Sequence, residues 1–337
     1  MMPPCHCEIR ELPLRDPFGL SRGTRRVARN LFIRVGEGWG EGAPIYYLGQ
    51  NVERMAEAAR EWLAGEPDFQ RPVDETIAGL LERYPGETAL AQAVDLAWHD
   101  AWGRRAGMPL GRLWNAPSRD DLVSSFTIGM DSLETVLRKV DRAEPYPILK
   151  IKVGGEEDYP ILRAIHERTR KPLYVDANEG WTMEQTVEML PRLKEMGVRL
   201  VEQPLPRADR DGYRRIREAN RTEIPVIVDE GVHGPEDVEA WAGLADGINI
   251  KLAKCGGLDR ARRMIHLARR QGLRIMLGCM IESSLGITAA AHLAPWVDYL
   301  DLDGAALLAE DPFRGMVLDH GRLVMPGRPG IGATPAE

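Results

Sequence analysis

No apolar run in this 337-residue chain approaches the ~20 residues that a membrane-spanning helix needs, so no membrane association is expected. Basic charge is not in excess. Lys and Arg number 44 against 51 Asp and Glu, a net charge of −7, which argues against nucleic acid as a partner because a polyanion needs a basic face. The paired arginines (Arg25-Arg26, Arg214-Arg215, Arg262-Arg263, Arg269-Arg270) lie mostly on predicted helices and read as solvated faces. Cysteine is scarce, with four residues. Cys5 and Cys7 flank His6, but no second Cys or His pair follows at zinc spacing. Cys255 and Cys279 stand alone, so no disulfide framework is indicated. The start, Met1-Met2-Pro3-Pro4-Cys5, lacks a basic head followed by an apolar core; a secretory leader is not expected, and the cytoplasm is the expected location.

What remains is ordinary globular composition, 44% hydrophobic and 28% charged, in a chain long enough for a large barrel plus a smaller domain. The first 120 residues read as α+β. Glu8–Leu14 alternates like a strand, Val27–Val35 contains a second, and Gly36 to Gly40 turns toward a third. Between the first two, Phe18 to Arg26 is a Gly-punctuated basic loop that could cover a site and bind a carboxylate, or could simply be a solvated turn. Helices follow at Val52–Leu63 (capped by Asn51), Glu75–Arg83 and Glu87–Trp102. Pro117-Ser118-Arg119-Asp120 marks a boundary, so residues 1–120 are expected to form a capping domain.

Beyond it the grammar changes to short apolar strands, each followed by a helical segment. The strands are predicted at Ser124–Met130, Ile148–Val153, Leu173–Asn178, Leu200–Leu205, Pro225–Glu230, Gly247–Leu252, Arg274–Met280 and Tyr299–Gly304. Helices are predicted over roughly 132–143, 157–170, 183–196, 209–219, 235–243, 258–271 and 284–293. Lys150, Asp176, Glu202 and Asp229 fall at successive intervals of 26, 26 and 27 residues. This strand–helix period implies a TIM-like barrel of the (β/α)7β type over 121–310. The tail, 311–337, with hairpin-like Val317–Val324, is expected to return to the first domain.

In such barrels the chemistry sits at the C-terminal strand ends. Lys150 and Lys152 lie on one face of the second strand, where two ammonium groups are costly unless something anionic meets them. The alternative is an edge strand that uses Lys against aggregation. Asp176, Glu202 and Asp229 end the next three strands. Three converging carboxylates repel, and an all-oxygen donor set suits Mg²⁺, one per subunit. Lys251 ends the sixth strand, opposite the second in a ring of eight, with Lys254 as a competitor and a salt bridge as the alternative role. Two amines on opposite sides of a bound carbon suit removal of a proton from one face and return to the other. A carboxylate on the cation acidifies its α-proton, and a base near pH 7 requires a lysine pKa pushed down by its neighbours.

These residues resemble the enolase superfamily, in its muconate-lactonizing group. The motifs are Lys150-Ile151-Lys152, Asp176-Ala177-Asn178, Glu202-Gln203-Pro204, Asp229-Glu230 and Lys251-Leu252-Ala253-Lys254-Cys255-Gly256-Gly257. Gly278-Cys279-Met280-Ile281-Glu282-Ser283 and Asp301-Leu302-Asp303 look like the dipeptide epimerase branch. The resemblance runs from Glu8 to Gly330 and implies Asp176, Glu202 and Asp229 as Mg²⁺ ligands. It implies Lys152 and Lys251 as paired acid/bases, with Lys150 as an electrostatic neighbour. It further implies a dipeptide substrate whose ammonium meets Asp301 and Asp303, with Gly278, Met280 and Glu282 in the substrate site. The resemblance extends to the alanyl-glutamate subgroup through an arginine in the first loop, for which Arg22 is the nearest candidate and Arg25 and Arg26 are alternates. Glu179 stands where relatives often carry Gln. The implied activity is inversion of the α-carbon of the C-terminal residue, in L-Ala-D/L-Glu from cell-wall peptides, by a homo-oligomer. A muconate-type cycloisomerase, an o-succinylbenzoate synthase, an N-acylamino acid racemase or a non-catalytic binding barrel are the competing readings.

Overall fold

Period-two alternation builds the centre of the molecule. The structure, a computed structural model, describes residues 5–20, 23–68 and 71–336. Eight parallel strands form one sheet in chain order: β4 (Phe126–Ile128), β5 (Leu149–Lys152), β6 (Leu173–Asp176), β7 (Val198–Glu202), β8 (Val226–Val228), β9 (Gly247–Lys251), β10 (Arg274–Gly278) and β11 (Tyr299–Asp301). The Ser125 N–H donates to the Leu300 carbonyl at 3.0 Å and brings the last strand against the first. Alternate positions such as Leu149, Ile151, Val175, Val201 and Ile250 pack outward into the main hydrophobic core. Tyr174, Leu200, Ile227 and Met276 point inward and fill the lower half of the ring as a separate apolar layer. Two residues further along, Tyr174, Leu200 and Ile227 give way to Asp176, Glu202 and Asp229, and Met276 to Gly278.

Seven helices cover the ring: α5 (Leu133–Arg142), α6 (Asp158–Arg168), α7 (Met183–Glu195), α8 (Arg210–Ala219), α9 (Pro235–Trp241), α11 (Leu258–Arg270) and α12 (Ser284–Ala291). Each lies within a few residues of its predicted range. Capping residues mark several starts, with Ser132, Thr182, Asp209 and Ser283 side chains accepting first-turn amides. One extra helical turn, α10 (Leu252–Cys255), winds directly off β9, where the predicted strand ran on to Leu252.

A three-stranded antiparallel sheet of β1 (Cys5–Leu20), β2 (Gly23–Val35) and β3 (Gly38–Gly42) packs against α1 (Val52–Ala64), α2 (Val73–Arg83) and α3 (Thr88–Ala106), with the one-turn α4 (Leu110–Leu113) after them. Here the structure differs from the sequence reading. The basic loop is instead the tip of a long hairpin, with Phe18 opposite Arg25 and Gly19 opposite Thr24. The pairing restarts after a register shift between Pro13 and Phe18, which no hydrophobic alternation announces. Gly19 is pressed against the barrel, where a Cβ would sit 2.2 Å from the Met130 carbonyl oxygen. Arg22 lies outside the described residues.

The chain's tail joins this cap. Phe313 stacks on Phe32 at 5.7 Å, the Leu110 amide donates to Gly330, and Arg104 reaches the Ala333 carbonyl. Cap and barrel also meet through Glu41 of β3. Its carboxylate accepts from the amides of Ser283 (2.9 Å) and Gly286 (3.1 Å) and from the Ser283 hydroxyl, so it caps α12 from outside the barrel. Asn30 of β2 donates both to Glu41 (2.7 Å) and to the Ile281 carbonyl (2.9 Å).

Candidate active site

Strand register aligns the charged ends. Lys152 pairs with Asp176 and Asp176 with Glu202; across the ring, Lys251 pairs with Gly278 and Gly278 with Asp301. β5 and β9 stand four strands apart in a ring of eight, so Lys152 and Lys251 approach from opposite sides. Both line one cavity of about 320 Å³. Lys150, only 1% exposed, belongs to a strand flanked by β4 and β6, and the edge-strand alternative therefore fails.

The carboxylates are held by lysines. Lys150 Nζ lies 3.0 Å from Asp176, 2.7 Å from Glu202 and 2.7 Å from Asp301. Lys152 meets Asp176 at 2.6 Å. Lys251 and Lys254 meet the two oxygens of Asp229 at 2.8 and 2.5 Å. Lys251 thus makes the salt bridge given as its alternative role, and Lys254 shares the same acid. Asp176 and Glu202 are fully buried beneath the lysines, whereas Asp229 reaches the cavity wall. Burial opposes ionisation, but Lys152 and Lys150 hold Asp176 down at about 2. Burial and the Asp176 charge push Glu202 up. Lys150, expected as an electrostatic neighbour, and Lys251, expected as an acid/base, are each ringed by carboxylates. Burial pulls Lys150 and Lys251 down, but Asp301, Glu202 and Asp176 around Lys150, and Asp229 and Glu202 around Lys251, carry both well above the usual range.

At the far side, Asp301 accepts from the Ser125 hydroxyl at 2.8 Å and Asp303 from the Thr127 amide at 2.6 Å. Asp303 lies just past the end of β11 and not within it. Burial and its neighbour Asp301 push Asp303 up to about 7. Met280 is in the cavity wall with Cys279 and Ile281; among the described residues, Gly278 and Glu282 are not. Glu282 is turned to the cap, where Gln92 of α3 donates to it, and burial with nearby Glu41 pushes it up to about 8. Of the three arginines, Arg25 reaches the cavity wall, its guanidinium 4.5 Å from the Tyr46 ring centroid, and Arg26 is exposed. Glu179 accepts the Arg207 amide at 2.8 Å on the rim.

Three further residues belong to this site. Glu230 lines the cavity, accepts from Asn178 at 3.2 Å, and is pushed up to about 7 by burial and by Asp229. Asn249 donates to Glu202 at 2.8 Å. Gln203 accepts both the Asp229 and Glu230 amides, at 2.8 and 2.9 Å, fixing the end of β8. Their signal was adjacency: each lies within two positions of a charged strand end. Asn178, Glu179 and Gln203 also have positive φ (44°, 68° and 39°), a conformation costly for non-glycine residues that concentrates at working sites.

The donor chemistry fits a hard divalent cation. Among the described residues, six buried carboxylates (Asp176, Glu202, Asp229, Glu230, Asp301, Asp303) outnumber the four ammonium groups beside them (Lys150, Lys152, Lys251, Lys254), and burial together with this crowding of acids pushes Glu230 and Asp303 up, a strain that a hard cation relieves. The Oδ1 atoms of Asn178 and Asn249 are buried beside them without a hydrogen-bond partner. Among the described residues, no three acidic, His or Cys side chains already stand in metal-holding geometry; Asp176, Glu202, Asp229 and Asp301 are each paired with an ammonium group.

A barrel with acids on three neighbouring strands and lysines on the strands either side defines a class, and comparison with known proteins agrees. The sequence profile described as enolase C-terminal domain-like matches residues 133–337, and the chain belongs to that family. An L-Ala-D/L-amino acid epimerase from Maribacter sp. is 36% identical over 328 residues, covering 96% of each chain. The structure of a substrate-liganded complex of the L-Ala-D/L-Glu epimerase from Bacillus subtilis matches with a TM-score of 0.92 at 29% identity, over 100% of this chain and 99% of that one. A dipeptide epimerase from Methylococcus capsulatus, complexed with Mg and the dipeptide L-Arg-D-Lys, matches with a TM-score of 0.91 at 32% identity, over 98% and 99%.

Proposed function

We propose that this protein is a Mg²⁺-dependent dipeptide epimerase that inverts the α-carbon of the C-terminal residue. The observation that carries the reading is the pair Lys152 and Lys251, on opposite strands of one ring and in the wall of one cavity. In its deprotonated form, either amine removes the Cα proton from its own side. The ammonium opposite then donates a proton to the other face, so one proton leaves, one arrives, and configuration inverts. Asp176, Glu202 and Asp229 would hold the cation, which supplies positive charge against the substrate carboxylate as Cα loses its proton. Lys150 balances the acids beneath.

Asp301 and Asp303 would receive the dipeptide's ammonium, and Met280 would contact its side chains. Gly278 contributes by being small, since a Cβ there would lie 3.1 Å from Lys251 Cε. Glu282, turned away from the cavity, would act on substrate only through the Met280–Ile281 segment. Arg25, in the cavity wall, supports an acidic second side chain, as in L-Ala-D/L-Glu; Arg22 lies outside the described residues. With this reading go a capping domain over 1–120 completed by 311–337, a barrel over 121–310, homo-oligomeric assembly and a cytoplasmic location. No helix among the described residues is long and apolar enough to cross a membrane.

The test is a dipeptide library incubated in D₂O with Mg²⁺ and read by mass spectrometry for Cα deuterium. Acidic second residues should label fastest; no labelling of any dipeptide would sink the reading. Replacing Asp301→Asn together with Asp303→Asn should cost dipeptides about 10- to 100-fold in kcat/KM, the worth of a charge-assisted contact. A racemase for N-acylated amino acids, whose substrates lack that ammonium, should turn over its own substrates as well after the change.

A further inference from the structure

One buried carboxylate beside the site serves neither the cavity nor the ion pairs. Asp158, the first residue of α6, is 6% exposed and, among the described residues, is not in the cavity wall. It collects three donors from two loops. The Gly154 amide donates to Oδ2 at 2.9 Å, and the Gly155 amide reaches both oxygens, at 3.0 and 3.1 Å. The Trp181 indole Nε1–H donates to Oδ2 at 2.7 Å. Gly154 and Gly155 follow β5, the strand that ends in Lys152; Trp181 follows β6, the strand that ends in Asp176.

The two loops are in direct contact. A Cβ on Gly180 would fall 2.5 Å from Gly154 Cα, and Gly154 itself has φ +127°. The strand ends are joined by the Val153 amide, which donates to the Asp176 carbonyl at 2.9 Å; beyond that bond, with no side chain at either glycine to wedge the loops, their spacing depends on an acceptor common to their amides and the indole. The carboxylate of Asp158 is that common acceptor. The opposite side of the ring has other supports. Lys251 runs straight into α10, and its neighbour Lys254 is tied to the carbonyls of Asp229 and Asn249.

We propose that Asp158 is a positioning residue for Lys152: it clamps the ends of β5 and β6 together and so sets the approach of that one amine to the substrate carbon. The inference rests on the two-lysine reading above. It follows that loss of the clamp affects one face of the substrate. A side chain that merely stabilised the barrel would affect both faces alike.

The test measures deuterium uptake at Cα from each of the two epimers separately, in D₂O with Mg²⁺, for Lys152→Ala, Asp158→Asn and Trp181→Phe, alongside the melting temperature of each. Lys152→Ala identifies the epimer whose Cα–H faces Lys152, because exchange from that epimer alone should vanish. Asp158→Asn keeps the shape but turns an amide toward one of the three donors. It should slow exchange from that same epimer by about 100-fold and from the other by less than about 3-fold, as misplacement of one reacting group does. Trp181→Phe removes one donor and should act in the same direction by about 10-fold; if Asp158→Asn does not fold, this variant carries the test with the same criteria. Equal slowing of both epimers, or none, overturns the positioning role while leaving the two-lysine reading intact. If Lys152→Ala abolishes exchange from both epimers alike, the two-lysine reading falls first and the positioning role falls with it.

Discussion

The two mouths of the barrel are made by the same eight strands and treat charge in opposite ways. At the C-terminal mouth, lysines and carboxylates are buried and in contact; Lys150 alone touches three acids. At the N-terminal mouth, a cavity of about 460 Å³ is lined by Arg199, Arg274, Lys194, Glu223 and Asp298, all exposed. Arg274 donates to the Tyr299 hydroxyl at 2.6 Å and Asp298 pairs with Arg269 at 2.7 Å, both contacts being exposed. Below the buried charges lies the apolar layer of Tyr174, Leu200, Ile227 and Met276, which separates the two ends. Burying many ionic groups is costly, and a fold bears that cost where the groups perform chemistry. Charge at the other mouth is solvated, and its partners are optional.

The largest effect that sharpens this contrast is expected from Lys251→Ala, which should lower epimerisation by about 10³-fold or more while one-sided exchange through Lys152 persists. Comparable turnover would erase the distinction between the mouths. A buried group away from both mouths should move stability and spare chemistry. His292 accepts the Gly111 amide at Nδ1 and donates from Nε2 to the Ile331 carbonyl, and burial lowers its pKa to about 4. The unfolded chain, with an ordinary histidine near 6.5, binds the proton first as pH falls. Stability should therefore rise with pH between about 4 and 6.5, by about 3 kcal/mol from this group. Urea titrations at pH 4 and 7 should show that slope flattened by this amount in His292→Asn; an unchanged slope would remove the assignment. The smallest effect belongs to Arg199→Ala, expected to change kcat/KM by less than about 2-fold and stability by under about 0.5 kcal/mol. A large loss of activity there would mean that the lower mouth also works.

Most of the architecture was legible because parallel strands buried on both faces read as short β-branched runs and because the repeat interval recurs. Asp176, Glu202, Asp229, Lys152 and Lys251 were legible because a charge that ends an apolar run is out of place without a task. What stayed hidden depends on distance along the chain. Glu41 and Ser283 meet across 242 positions, and nothing local in Gly38–Gly42 or in Gly278–Ser283 foretells that contact. The turning of Glu282 toward Gln92 was hidden for the same reason: its partner lies 190 positions away. The hairpin tip around Gly19 and Arg25 was read as a loop because Gly and Arg are poor strand formers, and pairing across the register shift overrode that preference. The upward displacement of Lys150 depends on three acids from three strands, a sum that spacing alone does not provide.

Glu41 has a consequence for anyone recombining these proteins. It grips the head of α12 from the cap side while Asn30, its neighbour in the sheet, holds the carbonyl of Ile281. The lid and the seventh strand's exit loop are thus mortised together, and a chimera that borrows one without the other would inherit a misfitted joint. Selectivity in this scaffold should therefore transfer as a matched pair of segments, and libraries that randomise either half alone will sample mostly broken hinges.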